Sequence, residues 1–297
     1  MAARRVLRIA TRASPLARWQ ADHVATALAA QDPAVSVEVV PLDTVGDRRR
    51  DVPISAMGGK GVFAKEVQTA VLDGHSDLAV HSAKDLPSVP VDGLVLAAVP
   101  ERGDPRDALV GAPLAALPPG AQVATGSVRR RVQLAERRPD LVFHELRGNM
   151  ATRLAKASHF HAIVVAAVAL QRLQLDAAIA EVLAVDVMLP QVGQGALAVE
   201  CRAEDRELRA RLAGIEHPLS RRCVDAERAF LAELGGDCDL PAGAHAMPVD
   251  GGDQDGGDLK LTALLAAPDG VTIRRHSAIG REPEPLGQQV AQTLRDA

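Results

Sequence analysis

The run Val80-His81-Ser82-Ala83-Lys84-Asp85-Leu86-Pro87 sets a lysine beside a carboxylate, where the apolar stretch Leu78-Ala79-Val80 gives way to a loop. A carboxylate at such a place can accept hydrogen bonds from an N–H group that turns cationic during a reaction, and so stabilise the developing charge. Arginines gather at comparable positions. Thr125-Gly126-Ser127 leads into Arg129, Arg130 and Arg131, Arg147-Gly148-Asn149 leads to Arg153, and Arg12 follows the first apolar run. A guanidinium bonds a carboxylate through two parallel N–H groups and keeps its charge at every working pH. Helix N-termini add unpaired N–H donors. One acid among many arginines, all at strand ends, points to an enzyme for a substrate with several carboxylates or phosphates. The bland alternatives are a capping aspartate beside a surface lysine, and arginines on solvated helix faces, which is how Arg137 and Arg138 read. Recurrence of the charges in loop after loop favours function.

Three cysteines are present. Cys201 lies on an apolar run and Cys223 within a helical pattern, and both read as inert core thiols. Cys238 stands in Gly235-Gly236-Asp237-Cys238, a loop that exposes its side chain. An odd count without Cys-x-x-Cys argues against a disulfide framework or a zinc site and suits a reducing cytosol. Gly58-Gly59-Lys60-Gly61 lacks the spacing of a phosphate loop and reads as part of a hinged lid. His159-Phe160-His161 has no third ligand for a metal and reads as a loop. The segment from Asp250 to Asp258, DGGDQDGGD, has calcium-ligand chemistry without an EF-hand's spacing or terminal Glu, and reads as a solvated loop.

The 297 residues suffice for two or three domains with real cores. A net charge of −4 makes the arginine clusters local and excludes a general polyanion binder. Aromatics at 2%, with no tyrosine, exclude stacking platforms for single-stranded nucleic acid. No apolar run approaches the ~20 residues of a membrane span, and Arg4, Arg5 and Arg8 interrupt any secretory core. A cytoplasmic protein is expected.

The elements that must position these residues follow from periodicity and caps. Val6–Ala10 reads as a strand, and Ser14-Pro15 opens a helix to about Ala30. Val35, Val37 and Val39 alternate as a strand; Phe63–Asp73 is helical and ends at Gly74; Leu78–Val80 and Leu94–Val99 are short strands. Glu101–Asp107 reads as a linker. A second strand–helix series follows: strand 122–124 and helix 127–137, strand 141–145 and a helix from Asn149, strand 162–167 and helix 170–184. Pro190–Gly195 reads as a second linker and Ala196–Cys201 as a strand. Two helices, 204–215 and 220–234, precede strands 244–249, 260–267 and 271–279, the last two joined by Pro268-Asp269-Gly270, and a helix from about Pro283. The β-β-β-α order suggests a small α+β domain. Ala10-Thr11-Arg12-Ala13-Ser14 and Ala124-Thr125-Gly126-Ser127 echo one another, as two related halves would.

Taken in order, ATRASPLA (10–17), TVGD (44–47), GGKGVFAKE (58–66), DLAVHSAKDLP (77–87), ERGDPRDAL (101–109), RRPDL and LRGNMATRL (137–154), LPQVGQGALAVECR (189–202) and the cysteine loop make the chain resemble the porphobilinogen deaminase family. The resemblance covers nearly the whole chain. It implies an α/β fold of two doubly wound, periplasmic-binding-protein-like domains plus a small α+β C-terminal domain. The linkers would then divide residues 1–100 with 196–216, residues 101–195, and residues 217–297. The implied activity joins four porphobilinogen molecules head to tail, releases ammonia each time, and yields linear hydroxymethylbilane. The implied cofactor is one dipyrromethane held by a thioether to Cys238.

By the same resemblance Asp85 is the catalytic aspartate, with Lys84 beside it. Ser82, Lys84, Asp85, Thr125, Ser127, Arg129, Arg130 and Arg147 would hold the cofactor. Arg12, Ser14, Phe63, Arg147, Asn149, Arg153, Arg172 and Gln194 would hold substrate, and the loop from Asp43 to Gly61 would be a lid. A monomer handing its product to uroporphyrinogen-III synthase is implied, with no nucleic acid, membrane or metal partner. Three positions depart from the family: Gly126 where a second serine is usual, Ala169-Leu170 where Gly-Leu is common, and Asp237 where glycine precedes the cysteine. A carboxylate beside Cys238 should raise the thiol pKa and slow cofactor loading. The rival from another class is a two-lobed binding protein for an anionic solute, against which the Cys238 domain counts. A phosphosugar or nucleotide enzyme would need a phosphate loop or metal ligands.

Overall fold

The computed structural model describes residues 5–44, 61, 63–235, 240–249, 256–267 and 272–297. The glycine-rich stretch 58–60, most of the segment 43–61, Asp237, Cys238, most of the aspartate–glycine run 250–258 and the Pro268-Asp269-Gly270 turn lie outside them. The chain forms two compact units, 1–102 with 196–222 and 103–195 with 223–297.

In the first unit β1 (Arg5–Arg12), β2 (Val35–Leu42), β3 (Leu78–Ser82), β4 (Leu94–Ala98) and β10 (Leu197–Arg202) form one sheet in the order β2-β1-β3-β10-β4. β1 runs parallel to β2 and β3, while β10 is antiparallel to β3 and β4. Alternation along β1 sends Leu7 and Ile9 to one face and Ala10 to the other. Leu7 and Ile9 pack with Ala21, Val24 and Leu28 of α1 (Pro15–Gln31) and with Leu208 and Leu212 of α6 (Arg206–Ala213). Ala10 packs with Val67, Ala70 and Val71 of α2 (Lys65–Leu72). With both faces covered, β3 reads as an uninterrupted apolar run before its polar end. Ser14 caps α1 by accepting from the Ala17 N–H at 3.3 Å, and Gly74 adopts φ +73° after α2, as the sequence suggests.

The second unit repeats the plan. β5 (Asp107–Gly111), β6 (Gln122–Ala124), β7 (Val142–His144), β8 (Ala162–Ala166) and β9 (Ile179–Val182) order as β7-β6-β8-β5-β9. β6 is parallel to β7 and β8, and β5 is antiparallel to β8 and β9. In each sheet the antiparallel strand is the first to follow a passage of the chain between the units. Thus β1 and β6 are equivalent, and the echoing Ala-Thr pairs occupy equivalent strand ends. α3 (Val128–Arg137) is capped by Ser127 and α4 (Met150–Ala157) by Asn149.

Three sequence expectations need correction. Residues 107–111 were assigned no strand, yet they form the buried β5, because pairing with β8 and β9 satisfies their backbone from distant residues. The expected helix 170–184 is α5 (Ala167–Arg172) followed by a turn in which Gln174 takes φ +56°, and then β9. Local propensity there yields to pairing of β9 with the sheet. Arg138 is not simply solvated, being half-buried and donating to Asp140 Oδ1 at 2.7 Å, whereas Arg137 is exposed as expected and donates to the Asp186 carbonyl.

After α7 (Pro218–Glu233), the antiparallel strands β11 (Ala242–Pro248), β12 (Leu259–Ala266) and β13 (Ile273–Gly280) form a third sheet, and α8 (Pro283–Asp296) follows. Buried Leu286, Val290, Ala291 and Leu294 line the inner side of α8. Among the described residues no helix is long and apolar enough to cross a membrane.

Candidate functional site

In the first unit the candidate side chains sit at the carboxyl ends of β1 and β3, the position from which loops of an open α/β sheet present ligands. β3 ends at Ser82, and Ala83-Lys84-Asp85 form one 3₁₀ turn, tied back by the Ala83 N–H to the Ala196 carbonyl at 3.0 Å. Asp85 is half-buried, and no hydrogen bond or ion pair engages its carboxylate among the described residues. Its oxygens therefore remain acceptors for a bound group. Arg12, at the end of β1, lies over the Phe63 ring at 4.1 Å from its centroid, a cation–π contact that orients the guanidinium. Ser14 spends its hydroxyl on the α1 cap.

Gln20 is a residue the sequence reading missed. It is buried on α1 and donates to Ser82 Oγ at 2.8 Å, fixing the serine just before the Lys84-Asp85 turn. Its signal was present: it lies on the apolar stripe Ala17, Ala21, Val24, Leu28, where a polar residue needs a partner. Beneath the turn, His81 Nε2 lies 3.2 Å from Glu200 Oε2 without hydrogen-bond alignment, and Gln68 of α2 donates to the same oxygen at 2.8 Å.

In the second unit Asp107 organises the arginines. It has no solvent exposure and accepts from Arg129 Nη2 at 2.7 Å, Arg130 Nη2 at 2.8 Å and Gln194 Nε2 at 2.8 Å. Burial alone would raise its pKa; the charges of Arg129 and Arg130 and the bonds from Gln194 and Arg129 outweigh it and hold the carboxyl well below the usual range. Arg129 Nη1 also donates to the Leu189 carbonyl, and Arg130 Nη1 to the Val164 carbonyl at 3.0 Å. Much of both guanidiniums is thus used inside the fold. Arg129 Nε remains buried and without a hydrogen-bond partner. Gln194 is likewise internal, bonding Asp107 and the Pro105 carbonyl.

Thr125 Oγ1 accepts from the Ser127 N–H at 3.2 Å, and Ser127 Oγ from the Arg130 N–H at 3.4 Å. Asn149 spends its carboxamide oxygen on Thr152 N and Oγ1, both at 3.0 Å. Arg147 is half-buried and meets Glu145 only at 3.8 Å, and Arg153 Nε donates to the Gly148 carbonyl at 2.8 Å. Arg172 Nη2 donates to the Gly195 carbonyl at 2.7 Å, and burial pushes its pKa down to about 10. Gly126 packs so close to the Leu146 carbonyl that a Cβ would lie 2.7 Å from that oxygen. Cys201 and Cys223 are buried free thiols, and burial raises Cys201 to about 11.

Two α/β units of like topology, one with the Asp85 carboxylate beyond a strand end and the other with arginines at its strand ends, are followed by a small α+β portion. Residues 7–210 match the family model described as porphobilinogen deaminase, dipyromethane cofactor binding domain, and residues 221–296 match that of the porphobilinogen deaminase C-terminal domain. The chain belongs to the porphobilinogen deaminase family. Among solved structures it is similar to a TRAP periplasmic solute binding protein from Desulfovibrio salexigens, at 11% identity over 72% of this chain and 73% of that one, with a TM-score of 0.44. It is also similar to the reduced OxyR regulatory domain from Pseudomonas aeruginosa, at 14% identity over 71% and 96%, with a TM-score of 0.38. The chain is a transferase of porphyrin and haem biosynthesis, which polymerises porphobilinogen into hydroxymethylbilane using a dipyrromethane cofactor.

Proposed function

We propose that Asp85 is the catalytic group of this polymerisation and that the arginines around the strand ends hold the carboxylates of the rings. The observation that carries the proposal is the half-buried Asp85 carboxylate, held on a 3₁₀ turn with no partner of its own among the described residues. As the aminomethyl C–N bond of porphobilinogen breaks, the electron pair leaves with nitrogen and the pyrrole becomes cationic. Asp85 accepts a hydrogen bond from that ring's N–H and stabilises the charge. It then takes the proton released when the new carbon–carbon bond has formed. Lys84, its neighbour in the same turn, would add positive charge beside the bound rings' carboxylates.

The residues fit the cofactor's chemistry. A dipyrromethane carries two acetates and two propionates, and the fold offers a buried Arg129 Nε–H without a partner and an Arg147 guanidinium with only a loose surface contact. When bound, the cofactor supplies a pyrrole with a free α-carbon as primer. Arg129, Arg130 and Arg147, with Thr125, Ser127, Ser82 and Lys84, would hold it, and Cys238 would carry it. Arg12, Ser14, Phe63, Asn149, Arg153, Arg172 and Gln194 would position incoming substrate. Of these, Arg12 is oriented by its stacking on Phe63. Further parts of the reading are a three-domain division at the two linkers, a cytoplasmic monomer, and onward passage of the product to uroporphyrinogen-III synthase.

The test is ammonia release from porphobilinogen by Asp85→Asn beside the parent. General acid–base and electrostatic roles predict a loss of about 10²–10⁴-fold with unchanged folding. Activity within a few-fold of the parent would remove Asp85 from the reaction. No ammonia from either protein would favour a non-catalytic binding protein.

A further inference from the structure

Glu227, midway along α7, has no solvent exposure, and both its carboxylate oxygens accept from backbone N–H groups. Its Oε2 accepts from the Gly193 N–H at 2.8 Å and its Oε1 from the Ala246 N–H at 2.9 Å. His245 Nδ1 lies 3.5 Å from Oε1 and makes no hydrogen bond. One carboxylate thus joins three segments of the second unit: α7, strand β11, and the passage 190–195.

That passage is itself fastened to the arginines. Gln194, next to Gly193, donates to Asp107. The Leu189 carbonyl accepts from Arg129 Nη1 and from Gln133 Nε2. β11 lies directly on the same stretch: Ala244 donates to the Pro190 carbonyl at 3.0 Å. A Cβ on Gly243 would come within 2.8 Å of the Pro190 oxygen and 3.2 Å of Arg129 Cδ. Gly193 holds φ +70°, a left-handed conformation that aims its N–H at Glu227. Gly193 and Gln194 therefore bridge two fully buried carboxylates, Asp107 and Glu227.

The chain between α7 and β11 contains Cys238. Glu227 fastens both flanks of that segment, the helix before it and the strand after it, to the stretch that positions Arg129. We infer that Glu227 is a positioning residue for cofactor attachment: its buried carboxylate sets the flanks of the cysteine segment beside the Arg129 wall. The inference rests on Cys238 being the attachment site. A carboxylate suits the task because both its oxygens only accept, and both face N–H donors. Glutamine has the same shape but would turn an NH2 toward one of those donors, leaving it unsatisfied.

The test uses the full-length chain stripped of cofactor, in four forms: parent, Glu227→Gln, Glu227→Asp and Val290→Ala. Val290 is buried on α8 and makes none of the hydrogen bonds that hold Gly193 and Ala246, so its variant controls for plain destabilisation. Each is mixed with porphobilinogen at a temperature where circular dichroism shows it folded, and mass gain is followed in time. Amide exchange at Gly193 and Ala246 is measured in parallel. Glu227→Gln should exchange at both amides and acquire the cofactor each at least about tenfold differently from the parent, faster and slower respectively, as loss of a charge-assisted hydrogen bond predicts. Val290→Ala should load at the parental rate. Glu227→Asp, which keeps the charge on a shorter arm, should load at an intermediate rate, and it carries the test if Glu227→Gln does not fold. Parental loading by the Glu227 variants, or equal slowing in Val290→Ala, would overturn the positioning role alone. A parent that gains no mass, or a Cys238→Ser variant that gains it equally, would overturn the attachment site and the positioning role with it.

Discussion

Replacing Asp107 by asparagine removes one negative charge from a position with no exposure to solvent. Arg129 Nη2, Arg130 Nη2 and Nε, and Gln194 Nε2 lose the anion they share, at 2.7, 2.8, 3.1 and 2.8 Å respectively. The carboxamide keeps one acceptor and turns an NH2 toward the donors, so two buried guanidiniums are left without a counter-charge. Breaking a buried pair in this way costs about 3–5 kcal/mol. At about 2–4 °C per kcal/mol for a folding unit of ~150–250 residues, the expected fall in Tm at neutral pH is roughly 6–20 °C. The acid limb gives a second signature. Because the folded-state pKa of Asp107 is depressed, its stabilisation is complete above the unfolded value of about 3.9 and is lost as pH falls below it. The parent should therefore lose up to about 1.4 kcal/mol per pH unit from this group below about pH 4, and Asp107→Asn should lack that contribution. Calorimetry at neutral pH and through an acid series measures both. A Tm change under about 2 °C, or identical acid slopes, would refute the claim that Asp107 anchors the arginine pair.

Arg147→Leu should leave Tm nearly unchanged, because its Glu145 contact is long and exposed, yet stall elongation; an unchanged rate and product distribution in native mass spectra would remove Arg147 from the carboxylate clamp. Gly126→Ser restores the family's usual serine, but its Cβ would press on the Leu146 carbonyl, so a stability loss of about 1–3 kcal/mol in urea titration is expected; a neutral outcome would show that this loop can yield. The two buried thiols, Cys201 and Cys223, should resist alkylation in the native protein at neutral pH and react fully in denaturant; rapid native labelling of either, mapped by peptide mass, would contradict their burial.

Local chemistry made much of the architecture legible. The caps Ser14, Ser127 and Asn149 open helices where their sequence neighbours require, and Gly74 closes one, because each acts on backbone groups within a few residues. Failures came where distant pairing decides. β5 and β9 hydrogen-bond each other across some seventy residues, so 107–111 read as linker end and 170–184 as helix. Asp107 was hidden for the same reason: ERGDPRD looks solvated until Arg129 and Arg130 fold onto its last residue. The strand-end arginines were found as a class, but their division was not readable. Arg129 and Arg130 turn largely inward, while Arg12 stacks on Phe63 and Arg147 stays half-buried at the surface. Glu227 gave no warning, since a glutamate within a charged helix resembles any solvated one until its neighbours on Gly193 and Ala246 are known.

The intact mass of the purified protein, beside that of Cys238→Ser, tests the central claim most directly. The account predicts that the parent exceeds its sequence mass by one dipyrromethane and that the variant matches its own sequence mass. Sequence masses for both, unchanged after incubation with porphobilinogen, would contradict a chain primed on a cofactor held by Cys238.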